Sequence, residues 1–325
     1  MKYFWKLGII SSILTLLSYA GMEPAFAKVD YERYNVPYST PTSKTTPTPQ
    51  TAPPVKKTTT VKKSTSTSHH KKATTSAPTS EPNIYSKKVI QESRQLPYFS
   101  AIDISGPFKV DVATGNGRQS VVLTGNVNAV PRVTSRVIGN TLVIRMLPSK
   151  TGQLVPPYNP HVAIQIHMVD GLTTVAAGGS TQVYGTGISS SRLSLNTSDQ
   201  GSIYLRGNLI VYEINCNSSG IIDVALGHLR GIGVGGAGSG IIRITGSVDM
   251  LTAVLGGALR LDAKRLRAQQ VYVTTWGNAC AEVLPVIALY AFARDISNIF
   301  YYKEPQVMSG NSKGSGNILR LANWP

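Results

Sequence analysis

From Leu193 onward the chain repeats one unit: a small or polar corner, then a short alternation of apolar and polar residues. The corners read Gly201-Ser-Ile203, Gly220-Ile-Ile222, Gly240-Ile-Ile242, Gly257-Ala-Leu259, Asn278-Ala-Cys280, Ser297-Asn-Ile299 and Gly316-Asn-Ile318, at spacings of 19, 20, 17, 21, 19 and 19 residues. A strand-type pattern with a period near 20, uninterrupted by helical periodicity, is the signature of a solenoid. Alternate residues of a strand share a face, so two inward columns are predicted. One comprises Ile203, Ile222, Ile242, Leu259, Cys280, Ile299 and Ile318; the other comprises Leu205, Val224, Ile244, Leu261, Glu282, Tyr301 and Arg320. With one repeat per coil, equivalent residues stack about 4.8 Å apart, and each buried aliphatic side chain contributes roughly 1.5–3 kcal/mol. Glycine at the corners admits positive φ and a tight change of direction. The competing arrangement is a glycine-rich β-sandwich of evenly spaced hairpins, but the Asp-Gly and Asn-Gly turns that favour it are scarce.

Ahead of the repeats, Ala101-Ile-Asp-Ile104, Phe108-Lys-Val-Asp-Val112, Ser120-Val-Val-Leu123 and Thr141-Leu-Val-Ile-Arg145 alternate as strands, broken at Gly115-Asn-Gly117 and Gly139-Asn140. A solenoid exposes an apolar end at its first coil, and this antiparallel-looking segment is placed to cap it. A loop from Pro148 to Pro160 follows, and His161-Val-Ala-Ile-Gln-Ile-His167 begins the coils. The fold class expected is all-β: a parallel β-helix with an N-terminal β cap.

The run Ser297-Asn-Ile-Phe-Tyr-Tyr-Lys-Glu-Pro305, with Ser309-Gly310 and Gly314-Ser-Gly-Asn-Ile318, resembles the closing segment of the bacterial GIN-domain family, named for an autotransporter-adhesin head domain. The opening and middle are similar too, at Phe99-Ser-Ala-Ile-Asp-Ile-Ser-Gly-Pro-Phe108, Val121-Val-Leu-Thr-Gly-Asn126 and Ile138-Gly-Asn-Thr-Leu-Val-Ile144. The resemblance implies a β-helix with the outline of pectin lyases and without their catalytic residues, and it implies an adhesive role. Trp276-Gly-Asn278 and Asp295-Ile-Ser297 depart from the family's Gly-Ser-Gly corners, so irregular coils are expected there.

The first residues read as a targeting signal. Lys2 and Lys6 precede the apolar run Leu7–Ala20, and Ala25-Phe-Ala27 offers a cleavage site before Lys28. The run is shorter than the roughly 20 residues a spanning helix needs, which favours cleavage over an uncleaved anchor. Residues 28–94 are dominated by Thr, Ser, Pro and Lys and carry twelve Lys/Arg against four Asp/Glu. So few apolar residues cannot offset the ordering entropy, and a disordered linker is expected. The organisation expected is signal peptide 1–27, linker 28–94 and β-helix 95–325, with the product exported to the periplasm, cell surface or medium and no membrane span left after cleavage. Residues 29–38, with three tyrosines, read either as a docking motif or as a frayed terminus.

The folded part carries eighteen basic and eleven acidic residues, about half of the chain's net +16. In the linker, Lys56, Lys57, Lys62, Lys63, Lys71 and Lys72 are candidate contacts for a polyanion, against the alternative of a solvated spacer. A nucleic-acid partner is not expected, because the basic run lacks interleaved aromatics and the chain carries a secretion signal. His69-His70 and the pair His161 and His167 are weak metal candidates, and no metal or cofactor is assigned. Gly231-Ile-Gly233-Val-Gly-Gly236 fits a dinucleotide fingerprint only by spacing, since no helix follows. Asn196-Thr-Ser-Asp199 and Gly227-His-Leu-Arg230 faintly resemble polygalacturonase motifs, yet that class needs paired aspartates and no Asp-Asp occurs. A serine nucleophile beside His228 is conceivable on paper.

No catalytic set emerges. The leading expectation is an exported, non-catalytic, adhesin-like module that recognises an envelope polymer or protein. The alternatives are a structural subunit of an envelope assembly and, behind it, a polysaccharide-active enzyme. Tyr184, Tyr204, Tyr212, Tyr272 and Trp276 are candidates to line a binding face. Cys216 and Cys280 are expected to remain unbonded, on different sides of the coil and about three repeats apart, both as small buried residues.

Overall fold

Alternating aliphatic residues favour extended backbone, and glycine or aspartate at the corners lets that backbone bend without ending the ladder. The computed structural model describes residues 88–115, 117–148, 162–169 and 171–322. The targeting segment, the linker lysines, residues 29–38, His69, His70, His161 and most of the Pro148–Pro160 loop lie outside the described residues. Seven strands lead in, β1 (Val89–Arg94), β2 (Ala101–Gly106), β3 (Phe108–Thr114), β4 (Ser120–Asn126), β5 (Val133–Ile138), β6 (Thr141–Met146) and β7 (Val162–Met168), and β8 (Thr174–Gly179) joins them to the repeats. Six long strands follow, β9 (Gln182–Asp199), β10 (Ser202–Ser218), β11 (Ile221–Gly236), β12 (Ile241–Leu255), β13 (Arg260–Thr275) and β14 (Cys280–Asp295); the short β15 (Asn298–Tyr301), β16 (Val307–Gly314) and β17 (Asn317–Arg320) complete the sheet.

Each of β9 to β14 pairs in parallel with the next, so each makes nearly one turn of a β-solenoid. Three faces recur along every turn. On β10 the first is built on Ile203 and Leu205, the second on Leu209 and the third on Ile214 and Cys216, all buried. The inward column of the first face runs Ile203, Ile222, Ile242, Leu261, Ala281, Ile299 and Ile318. On the third face, Leu195, Ile214, Val234, Ala253, Val273 and Ala291 form another.

This register corrects the sequence reading at two coils. The column that holds Gly201, Gly220 and Gly240 continues with Leu259 and Ala279, not with Gly257 and Asn278. Leu259, Cys280 and Glu282 therefore leave the positions expected of them. Gly257, at φ +66°, belongs to a neighbouring corner column with Gly179, Gly277 and Gly314. Glycine occurs in both columns, and spacing alone does not tell them apart. The corner expected to be irregular at Asp295 is regular: Asp295 itself adopts φ +60° and accepts a hydrogen bond from the Gly277 amide at 2.9 Å. Asp199, at φ +55°, does the same for Gly179 at 3.0 Å. A short acceptor side chain thus replaces glycine in the left-handed region.

The lead-in segment is mixed rather than antiparallel. β1 pairs antiparallel with β4, β4 with β7 and β5 with β6, but β2 runs parallel to β6 and β8, and β3 runs parallel to β7 and β9. Alternation encodes which residues face inward; it carries no information on strand direction.

Both cysteines are free, Cys216 in the core of β10 and Cys280 half-buried on β14. Cys280 shares a row with Arg260 and Asn298 and faces outward, contrary to the buried position expected from sequence. Burial still pushes its thiol up, helped by the nearby Glu282. A thiol reagent added to the folded protein is expected to label one site per chain, slowly, with the second appearing only on unfolding. Peptide mapping that placed the native label on Cys216, or that found a bridge between the two, would contradict this register.

Candidate binding face

The outward residues of the third face change character along the axis. Early coils present Asn196 and Asn215, whose side chains join through a 3.2 Å hydrogen bond. The outward positions of β11 are then Gly231, Gly233 and Gly235, which carry no side chains, the first half-buried and the other two buried. The dinucleotide-like spacing noted in the sequence is this strip. Beyond it the rows fill with larger groups: Met250 and Thr252 on β12, Gln270, Tyr272 and Thr274 on β13, Tyr290 and Phe292 on β14.

Tyr272 and Tyr290 lie opposite each other in adjacent coils with ring centroids 4.7 Å apart and planes within 6°. They remain 36% and 38% exposed. The Tyr272 hydroxyl donates to Gln270 Oε1 at 3.4 Å. Trp276, half-buried, closes the row at the corner; its indole lies against Gly256, where any Cβ would enter the ring, so this seat needs glycine. Phe292 stands next to Thr274 on the same face. The result is an aromatic shelf, rimmed by Thr252, Gln270, Ser309 and Asn311.

The other tyrosines singled out from sequence lie elsewhere. Tyr184 and Tyr204 stack on the first face at 5.0 Å, with the Lys109 ammonium 5.6 Å from the Tyr184 ring. Burial pushes the Tyr184 phenol up, with Tyr204 and Asp111 adding to it. Tyr212 sits where the β9–β10 register shifts and is covered by the Arg192 guanidinium at 4.6 Å. The structure therefore brings Tyr272 and Trp276 onto one face, Tyr184 and Tyr204 onto another, and leaves Tyr212 apart. Sequence reading missed Tyr290 and Phe292. The signal was present: Tyr290 follows Tyr272 by 18 residues, as Tyr204 follows Tyr184 by 20, both close to the coil period.

On the first face Glu282 points outward, yet it is roofed over and only 4% exposed. Arg260 binds one carboxylate oxygen, while Lys264 at 3.2 Å and the Tyr302 hydroxyl at 2.8 Å donate to the other. Burial pushes the Glu282 carboxyl up, but these three donors outweigh it and hold it below the usual carboxylate range. The Tyr302 phenol is pushed up to about 12, by burial and by its bond to Glu282. Such a carboxylate has its lone pairs engaged, which suits it to joining coils rather than to proton transfer.

His228 does meet a serine: its Nδ1 lies 3.2 Å from Ser247 Oγ and its Nε2 lies 3.4 Å from Asp249. All three stand on the second face, His228 and Asp249 exposed and Ser247 half-buried, and β12 there pairs with both β11 and β13. The ladder consumes amides of the kind that would have to stabilise an oxyanion. Among the described residues no three His, Cys, Asp or Glu side chains converge as a metal site. Nor is any described helix long and apolar enough to cross a membrane.

The family description "Putative auto-transporter adhesin, head GIN domain" matches residues 98–305. The chain belongs to this family. Solved structures similar to this GIN domain include a "putative lipid binding protein" from Parabacteroides distasonis, at 20% identity and TM-score 0.62, the match covering 72% of this chain and 97% of that one. A "putative adhesin" from Bacteroides fragilis matches at 21% identity and TM-score 0.53 over 73% and 98% of the two chains. Another from Parabacteroides merdae matches at 17% identity and TM-score 0.62 over 72% and 97%. At these identities the likeness concerns the fold. The comparison with curated proteins finds no significant match.

Proposed function

We propose that this GIN domain is an exported, non-catalytic, adhesin-like module whose third face binds a polysaccharide of a cell envelope. The observation that carries the reading is the aromatic shelf of Tyr272, Tyr290, Phe292 and Trp276. Two tyrosine rings left exposed side by side on rigid strands, with half-buried Phe292 and Trp276 next to them and hydroxyl and amide groups around, suit a ligand with one apolar and several polar surfaces. Sugar rings have that character. The family's adhesin description supports a surface partner. In this reading residues 1–27 direct export, residues 28–94 form a flexible basic stalk, and residues 95–325 are the head.

The test is retention of the full chain on immobilised neutral envelope glycans. Tyr272→Ala/Tyr290→Ala is expected to weaken binding by roughly 30-fold, the scale of a central hot spot. Glycan binding unchanged in that variant, or absent from the wild type, overturns the proposal. A second reading, docking within an envelope assembly, is favoured by the exposed apolar residues of the closing strands, Val307, Met308 and Leu319. It predicts self-association or capture of an envelope protein that survives loss of the two tyrosines.

A further inference from the structure

One sequence element occurs twice on the solenoid, on two different faces. Gln182-Val-Tyr184 opens β9, and Gln270-Val-Tyr272 lies late in β13. In both, the valine is buried while the glutamine and the tyrosine point outward. In both, the tyrosine hydroxyl donates to the glutamine Oε1, at 3.0 Å for Tyr184 and 3.4 Å for Tyr272. In both, the next coil sets a second tyrosine opposite the first in register, Tyr204 beside Tyr184 and Tyr290 beside Tyr272. The ring centroids are 5.0 and 4.7 Å apart, with planes within 8° and 6°.

Polar and charged groups border the first-face pair. Along its column stand Gln165, Asp111, Tyr184, Tyr204 and Asp223. Asp223 is engaged by Arg206 at 2.7 Å. Asp111, in the coil next to Tyr184, is exposed and has no ion pair among the described residues. Lys109 pairs with Gln182 and brings its ammonium 5.6 Å from the Tyr184 ring. Two half-buried rings are thus flanked by a carboxylate, an amide and an ammonium.

We infer that the Tyr184–Tyr204 pair is a second binding site for a neutral glycan, so that the head holds two sugar segments at once. Tyrosine rings meet the apolar side of a sugar, and a few polar groups beside them fix its orientation. The Asp111 carboxylate can accept from two neighbouring hydroxyls, while the Gln182 amide and the Lys109 ammonium donate to sugar oxygens. Lys109 and Asp111 lie side by side with opposite sign, so no net charge selects an acidic or a basic sugar. Four coils separate the two sites, about 19 Å along the axis. They face different ways, so each is free when the other is filled, and a polymer held at both gains avidity without any new contact. The inference rests on the glycan-binding reading above but concerns different residues on another face.

The experiment is calorimetric titration of the full chain with neutral mannose, galactose and N-acetylglucosamine tetrasaccharides, read as the number of sites. For at least one of the three, two sites are expected in the wild type and one in Tyr184→Ala/Tyr204→Ala or in Tyr272→Ala/Tyr290→Ala. Removing two half-buried rings can unsettle a coil, so Asp111→Ala, at an exposed position, is the second variant. It is expected to weaken one site by about tenfold, as charge-assisted hydrogen bonds are lost, and to leave the other unchanged. Wild-type binding at both sites in either first-face variant overturns the inference. A single wild-type site that Tyr272→Ala/Tyr290→Ala abolishes overturns it too and leaves the aromatic shelf standing. A single site lost only in the first-face variants supports this site and overturns the shelf. Binding of none of the three sugars overturns both.

Discussion

Gly220→Ala is expected to destabilise the solenoid by about 3 kcal/mol or more, near the top of the range for overpacking. The glycines of the early corner column stack directly on one another. A Cβ on Gly220 would enter the Gly201 carbonyl oxygen, one on Gly201 the Ala177 carbonyl oxygen, and one on Gly240 the Gly220 carbonyl oxygen. Each obstacle is backbone of the previous coil, and backbone in a continuous ladder yields only if hydrogen bonds lengthen on both sides. The same column accepts side chains later, at Leu259 and Ala279, which are fully buried. Ala279→Gly should accordingly cost only about 1 kcal/mol, mostly as backbone entropy. Urea unfolding of both variants checks the pair. A Gly220→Ala protein as stable as wild type would show that the corner does not pack as described.

Glu282→Ala is expected to cost about 2 kcal/mol: below the 3–5 kcal/mol of a fully buried broken pair, because Arg260 is largely exposed and screened by water. The loss arises mainly from leaving Arg260 and Lys264 beside each other with no acid between them. Two pH limbs accompany it. The Glu282 pKa is lowered by folding, so its contribution is complete above about pH 4.3, the unfolded value, and is lost as pH falls through the lower folded value. Tyr302 is raised by folding to about 12, so its contribution is complete below about pH 10 and is lost as pH rises towards 12. Thermal melts across pH should show both limbs in the wild type and weaken both in Glu282→Ala, since Tyr302 loses its acceptor. An unchanged alkaline limb would separate Tyr302 from this network.

How much of this was legible in the chain depends on what repeats. The coil from Gly201 to Ile244 could be read directly, because glycine and β-branched residues return at nearly constant spacing. The slip at Gly257 arose because glycine serves two neighbouring corner columns, once for close stacking and once for positive φ. That slip moved Glu282 from an expected inward column to the roofed outward site it occupies. The aromatic shelf was half visible. Tyr272 and Trp276 are close in sequence, but Tyr290 and Phe292 join them only through the β13–β14 register.

From β9 onward nearly every strand pairs with the turn made about one period earlier in the chain, so no coil waits for a distant partner. Topologies of that kind can grow from one end, each closed turn templating the next. A chain threaded through a pore N-terminus first would need only one more repeat's worth of emerged sequence to lock each additional turn. Every lock would also oppose backward sliding. In a chain exported in that direction, the periodicity would supply a ratchet, with folding itself as the pawl.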